Sequence, residues 1–523
     1  MLPDRPSPER IALNRTTFGA RSSDVETVRR MGGFNAWVDD QLSPPAGDDD
    51  ALAQYLKQQT LYIQYDAYDA MGLKWPAVNE MRPLQWLDKS AARLWTATKD
   101  EFWKMSGAEQ LRPLDEVASS VYIRNAHSRY QLREVMTDFW LNHFSVSSAK
   151  DVQGANALIV YDRDVIRPNV FGNFRTMLDA VATSTTMLKY LDNADSDAIH
   201  PNENYARELL ELHTMGRAAY LGKRGASDAV AGFTDDDIIQ ASRALSGWTV
   251  SQGQYGGASA GQLPSTGEFT FNAYQHNTQA GACLGFDLSA LRGIAQGQKV
   301  LDLVAEHPAT APFVCGKIVK RIFGSAAPPV VLERAVKAWN ENRTRPDQIK
   351  QVLRAILQDG SEVSTLAPSK VRRPHEVVIA LGRALDAKVK PSPHWRYVFS
   401  TVYDAPFGWP TPDGRPDNDE FWLNTATNIG NWLNLNYVTY NVSFEVAYFD
   451  QMPRSIVNSP MLMTEFWVER LIGYSLSNEA MTALTKHMAY LKNIYDYDSR
   501  SYDVALGQQF ITALATAPEF MLR

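Results

Sequence analysis

The sequence predicts a mainly α protein, a large multi-helix architecture with a long irregular insertion and minor β content. Three observations predict it. Apolar residues recur three and four positions apart through most of the 523 residues. Helix-starting and helix-ending residues bracket many of those runs. No alternating strand–helix series carries phosphate-loop glycines.

The elements follow in order. Near the start, Ser22 or Ser23 caps "SSDVETVRRM", and Gly32 and Gly33 stop it. "PPAGD" at 45–49 is a turn. A second helical region is expected from about residue 50, with Tyr62, Tyr65 and Tyr68 on one face. "ARLWTATKDEFWKM" and "SRYQLREVMTDFWLNHFSV" read as further helices. Pro168 breaks the next segment before the "FGNFRTMLDAVA" helix. "PNENYARELLELHTMG" at 201–216 is an amphipathic helix with an unusual load of carboxylates. Thr234 caps the helix after it, Asp236 and Asp237 suit that helix's positive end, and Gly247 terminates it.

Residues 249–285 are rich in Gly, Gln, Ser and Thr, and suit a loop or lid with a small hairpin near "TGEFTFNAYQHN". Helical patterns then resume and run to the end, around a Pro/Gly-rich stretch at "DAPFGWPTPDGRPDNDEF". The expected organisation is an N-terminal helical region (1–115), a helical core with the polar motifs (116–248), a loop or lid insertion (249–290) and a C-terminal helical region (291–523) packed with the core as one large unit.

Composition sets limits. The net charge of −7 gives no electrostatic case for nucleic acid. No run of roughly 18 apolar residues marks a transmembrane segment. The first residues hold no apolar leader, so the chain is exported to the periplasm or cell envelope if a leader precedes them, and cytoplasmic otherwise. The aromatic content, 13 Trp and 22 Tyr, suits clefts that take carbohydrate as well as ordinary cores. Cys283 and Cys315 leave free thiols and a disulfide both open.

Several polar groups have the spacing for chemistry. Glu203, Arg207 and Glu211 form a ladder of i,i+4 pairs, with Asn204 and Glu208 on the neighbouring stripe. A surface ladder and a polar pocket both satisfy that pattern. Arg163 and Arg167, beside Asp162 and Asp164, can orient carboxylates, bind an anionic ligand or clamp helices. Trp140 can pack inward with His143 at a cleft edge, or both can be core. Paired-carboxylate hydrolysis would use Glu208 as acid, since flanking leucines dry its site, and Asp164 as base. No cofactor is expected. A divalent cation is the alternative, held by Glu203, Glu208, Glu211 and Asp164 with His143 or His213.

The ordered set "FWLNHFSV", "YDRDVIRPNVFGNFRTML", "LKYLDN", "PNENYARELLELHTMG", "GFTDDDIIQASRALSGWTV", "HPATAPFVCGKIVKRIFG", "KVRRPHEVVIALGRAL", "FGWPTPDG" and "FWLN" resembles the DUF1800 family of bacterial proteins over roughly residues 8–523. The resemblance implies a large, mainly helical protein associated with export. It adds weight to Trp140, His143, Asp164, Arg167, Asn202, Glu203, Asn204, Arg207, Glu208 and Glu211 as a constellation, and to Trp248 and Trp409 near connecting loops. Two departures stand out. Asn169 occupies a position often held by His in the family. "HNTQAGACLG" keeps His276 but has Asn277 in place of an acidic residue.

The expected function is a glycoside hydrolase acting on an oligosaccharide or polysaccharide. Glu208 and Asp164 would be catalytic, and Trp140, His143, Arg167, Asn204, Arg207, Trp248 and Trp409 would bind substrate. The alternatives are a non-catalytic carbohydrate-binding or cell-envelope assembly protein and a metal-assisted hydrolase.

Overall fold

Side-chain caps start many of the helices that dominate the computed structural model, which describes residues 2–222, 231–396, 404–440, 444–495 and 499–523. Ser106 accepts from the Glu109 amide and opens the longest helix, Gly107–His127. Asn173, Asn202 and Thr234 do the same for Phe174–Ala182, Glu203–Glu208 and Asp235–Leu245. Each cap satisfies an amide that a helix's first turn leaves without a partner.

Two apolar cores lie on either side of the Gly107–His127 and Gln131–His143 helices. One joins Val117, Val121, Leu132, Met136 and Trp140 to helices from the first two-thirds of the chain. The other joins Tyr122, Ile123, Ala126 and Val135 to the C-terminal helices, among them Pro374–Ala384 and Pro460–Leu471. These two helices therefore form the seam between the cores. Their polar residues, buried in that seam, become the frame of the site.

The minor β content is five two-stranded antiparallel sheets among the described residues. One corrects the expected second helical region. The helix Asp50–Lys57 ends early, and Thr60–Tyr65 pairs with Val78–Pro83. Leu61 and Ile63 are buried while Tyr62 is 45% exposed, so a period of two outweighs the three-residue tyrosine spacing. Inside it, Met71 and Gly72 both take positive φ, the backbone of a tight hairpin turn between Tyr68–Ala70 and Leu73–Trp75.

In the insertion, Trp248–Gln252 pairs with Ser265–Phe271, the small hairpin expected there. Trp248 and Val250 are buried in the first core, which anchors the hairpin's base. Cys283 and Cys315 are both buried free thiols. No described helix is long and apolar enough to cross a membrane.

Candidate functional site

The site begins on the Gln131–His143 helix, where Asp138 and Asn142 stand one turn apart and project into the seam. Asp138 accepts from Arg415 at 2.9 Å, from Arg321 at 3.2 Å and from Arg373. Burial alone would raise the Asp138 carboxyl, but Arg373, Arg415 and Arg321 hold it far below the usual carboxylate range. Arg415 and Arg373 also face Asp404, so the cluster is a network rather than one pair.

Asn142 fastens the loop that follows Asp404. Its Oδ1 accepts from the Arg415 backbone amide at 2.7 Å and its Nδ2 donates to the Arg415 carbonyl at 3.0 Å. Just before that clamp, Thr411-Pro-Asp-Gly414 turns back on itself, with Gly414 N donating to Thr411 O at 3.3 Å. Gly414 has φ +76°, and a Cβ there would overlap the Asn142 carbonyl oxygen. The turn leaves Asp413 exposed, accepting from the Thr411 hydroxyl at 2.5 Å.

The Thr310–Phe323 helix forms the opposite wall with Phe313 and Lys317. Lys317 Nζ lies 5.5 Å from the centre of the Phe313 ring. Burial lowers the Lys317 ammonium to about 8, against the opposing pull of Asp417 and Asp413. Phe313 in turn packs on Gly216. That glycine has φ +85° and ψ 150°, and a Cβ there would stand 2.6 Å from the Phe313 ring. The final Gly of "HTMG" is thus a place where backbone conformation and close packing both exclude a side chain.

Before Gly216 the chain leaves the α-helix. Glu203–Glu208 is α-helical and Leu209–Thr214 is π-helical. Glu211 pairs with Arg207 at 3.1 Å and Arg217 at 3.4 Å, and Arg207 also reaches Asp235 at 3.0 Å. Glu208 is half-buried, and its Oε2 is buried with no hydrogen-bond partner. Burial raises its carboxyl, and the neighbouring Glu211 and Asp413 raise it further, while Arg217 and Arg207 oppose them. Glu211, Arg217 and Asp413 line a cavity of about 400 Å³ together with Asn142, Phe313 and Lys317.

His143 lines the inner end of this cavity, only 1% exposed, with Nε2 3.0 Å from the His213 carbonyl oxygen. Burial, then Lys317 and His213, push its imidazole well below the usual histidine value. His213 is lowered to about 3 by burial and Lys317. Both rings are therefore neutral near pH 7, and His143 Nε2 donates to the carbonyl.

A family model described as protein of unknown function (DUF1800) matches residues 11–522. This chain belongs to the DUF1800 family. No curated protein and no solved structure matches it. The family match spans both apolar cores and every wall of the cleft.

The cleft gathers only part of the set expected for this DUF1800 chain. His143 lines it and Arg207 braces Glu211, whereas Glu208 does not line it and meets it only through the lining residues Glu211, Arg217 and Asp413, whose charges act on its carboxyl. Trp409 lines the adjoining smaller cavity, which shares Asp138, Asn142 and Arg415 with it. Trp140 and Trp248 must be corrected, because both are fully buried. Trp140 donates to Val170 O at 3.2 Å amid Phe139, Phe144 and Phe174. Trp248 packs on Gly297 and Phe269. Both are core anchors: for Trp140 this is the inward packing that the sequence left open, and for Trp248 an aromatic near a loop boundary does not reveal it.

Asn204 is exposed on the Glu203–Glu208 helix, whereas Asn202 is its cap. Asp164 is exposed and held by Arg163 at 2.6 Å. Its partners and those of Glu208 have no residue in common, so the contacts do not join the expected catalytic pair. Arg167 is tied to Glu134 and Asp162. Among the described residues, no group of three or more His, Cys, Asp or Glu side chains is placed to hold a metal ion.

The sequence reading missed Asp138, Lys317, Asp413 and Arg415. One signal was present: Asp138 and Asn142 sit four apart on a helix that also carries Leu132, Val135, Met136, Phe139 and Trp140, and polar residues buried at that spacing need partners. "PTPDG" also marks a tight turn that presents its Asp.

Proposed function

We propose that the DUF1800 cleft is the active site of a glycoside hydrolase acting on an oligosaccharide or polysaccharide. The observation that carries this reading is Glu208, a half-buried carboxyl with one oxygen left unbonded, whose proton affinity is raised beside two further carboxylates. A protonated Glu208 donates to the leaving glycosidic oxygen. Asp413, exposed on the turn and bonded to a neutral hydroxyl, replaces Asp164 as the second carboxylate and takes a proton from the attacking water. The Phe313 and Trp409 faces supply apolar surface for a sugar ring. Lys317 and Arg217 give the cleft a preference for glycans with acidic substituents.

A second reading is a non-catalytic carbohydrate-binding or cell-envelope assembly protein. It is favoured by the ion pairs that already occupy Glu211 and Asp138. A panel of neutral and acidic glycans incubated with the parent, Glu208→Gln and Asp413→Asn separates the two. Products from the parent and none from either folded variant support hydrolysis. Glycan binding without bond cleavage supports the second reading, and equal cleavage by Glu208→Gln rejects the proposed donor.

A further inference from the structure

A third cavity, of about 500 Å³, opens between the loop at residues 42–48 and the segment at 167–172. Its lining includes Arg124, Arg133, Arg163, Arg167 and Lys350, and its one acidic lining residue is Asp48. The carboxylate Glu134 joins two of these arginines from behind. Arg133 Nε donates to its Oε1 at 3.2 Å and Arg167 Nη1 to its Oε2 at 2.7 Å.

The two guanidiniums are not fully used. Arg133 is 4% exposed and spends its other contacts on Glu134 and on the Pro45 and Gly47 carbonyls. Its Nη2 has no hydrogen-bond partner, and the nearest ion-pair contact is Asp48 at 3.8 Å. Arg167 Nε donates to Asp162 at 2.9 Å, yet its Nη2 also has no partner. Two charged N–H groups are thus buried and unbonded on residues lining one cavity. Leaving such donors unmade is costly, and an oxyanion is the acceptor that suits them best.

The local charge agrees. Asp48, Glu134, Asp162 and Asp164 offset the four arginines through their ion pairs. Lys350, whose described side-chain bond is to the Ser43 hydroxyl at 3.1 Å, has no carboxylate partner among the described residues. The fifth cation therefore leaves the cavity positive.

We propose that this cavity is a binding site for the phosphate group of a small organic phosphate, held by the guanidiniums that line it, with Arg133 and Arg167 turning their unbonded Nη2 groups onto it as it binds. The volume exceeds what free phosphate needs and leaves room for an organic moiety along the 42–48 loop. The site shares no lining residue with the cleft, although Arg167 also lines the smaller cavity beside Trp409, and the inference does not depend on the hydrolase reading.

Calorimetric titration of the full chain with glucose 6-phosphate, inorganic phosphate and glucose tests it. Saturable binding of glucose 6-phosphate, weaker binding of inorganic phosphate and none of glucose are expected. Arg167→Lys keeps the charge beside Glu134 and Asp162 but removes Nη2, and should weaken binding tenfold or more, on the order expected for a charge-assisted bond. Lys350→Met, on the cavity wall, should weaken it a few-fold and serves if Arg167→Lys does not fold. Lys317→Met, in the cleft, should leave the tight glucose 6-phosphate site intact and remove only any weaker second site that the cleft offers to an acidic sugar. Glucose binding as well as its phosphate, no binding of either phosphate, or binding lost in Lys317→Met and kept in Lys350→Met would overturn the proposal.

Discussion

Asn142 holds Arg415 through both the amide and the carbonyl of its backbone, at 2.7 and 3.0 Å. One side-chain amide thereby fixes the loop that presents Asp413 to the cleft. The same loop is held a second time by the Arg415 guanidinium on Asp138 and Asp404.

Asn142→Ala should therefore loosen the loop without unfolding the chain. It strips a partner from a buried backbone amide, a loss worth about 1–3 kcal/mol. Urea denaturation should show that drop, and hydrogen exchange should speed up at the Arg415 amide more than in the Gly107–His127 helix.

Asp138→Asn should be more damaging. It removes the charge on which three buried guanidiniums converge, and breaking a buried ion pair costs about 3–5 kcal/mol. The folded carboxyl lies below its unfolded value, so its stabilising contribution is complete above an unfolded pKa of about 4 and disappears as the pH falls toward the folded one. Acid titration of stability should show the parent losing more than the variant below about pH 4.

Gly216→Ala should cost about 1–3 kcal/mol, because φ +85° with ψ 150° is a region kept almost wholly for glycine. The added methyl also meets Phe313. Thermal denaturation checks the loss, and a variant as stable as the parent would show that the Phe313 wall yields freely.

Lys317 should react with an acylating reagent at lower pH than the exposed lysines. Its ammonium is lowered to about 8 by burial, so near that pH half of it is the nucleophilic amine. Peptide mapping should show Lys317 labelling levelling off above about pH 8, while exposed lysines keep gaining reactivity toward about pH 10.

Much of the fold is legible in the sequence, because caps and helical periodicity are local. Thr234 and Gly247 can be read without any long-range contact, and the cap of the Glu203–Glu208 helix can be narrowed to Asn202 or Asn204. The tyrosine hairpin was missed because Tyr62, Tyr65 and Tyr68 match a helical period by coincidence, while its stability comes from pairing Thr60–Tyr65 with Val78–Pro83. The cleft was half legible. Glu208 and its neighbours form one continuous motif, but Asp413 and Arg415 reach them only through tertiary folding. Asp138 meets Arg321, Arg373 and Arg415 across 183 to 277 residues of chain, and no local pattern encodes that.

The central claim is that Glu208 keeps its proton where an ordinary glutamate has lost it. Carbon-13 NMR of carboxyl-labelled protein, with the Glu208 signal assigned by its absence from Glu208→Gln, measures this without any substrate. Titration above the ordinary glutamate value of about 4.3 is the predicted result. Titration at or below that value would contradict the account, because an ionised Glu208 has no proton to give to a leaving oxygen.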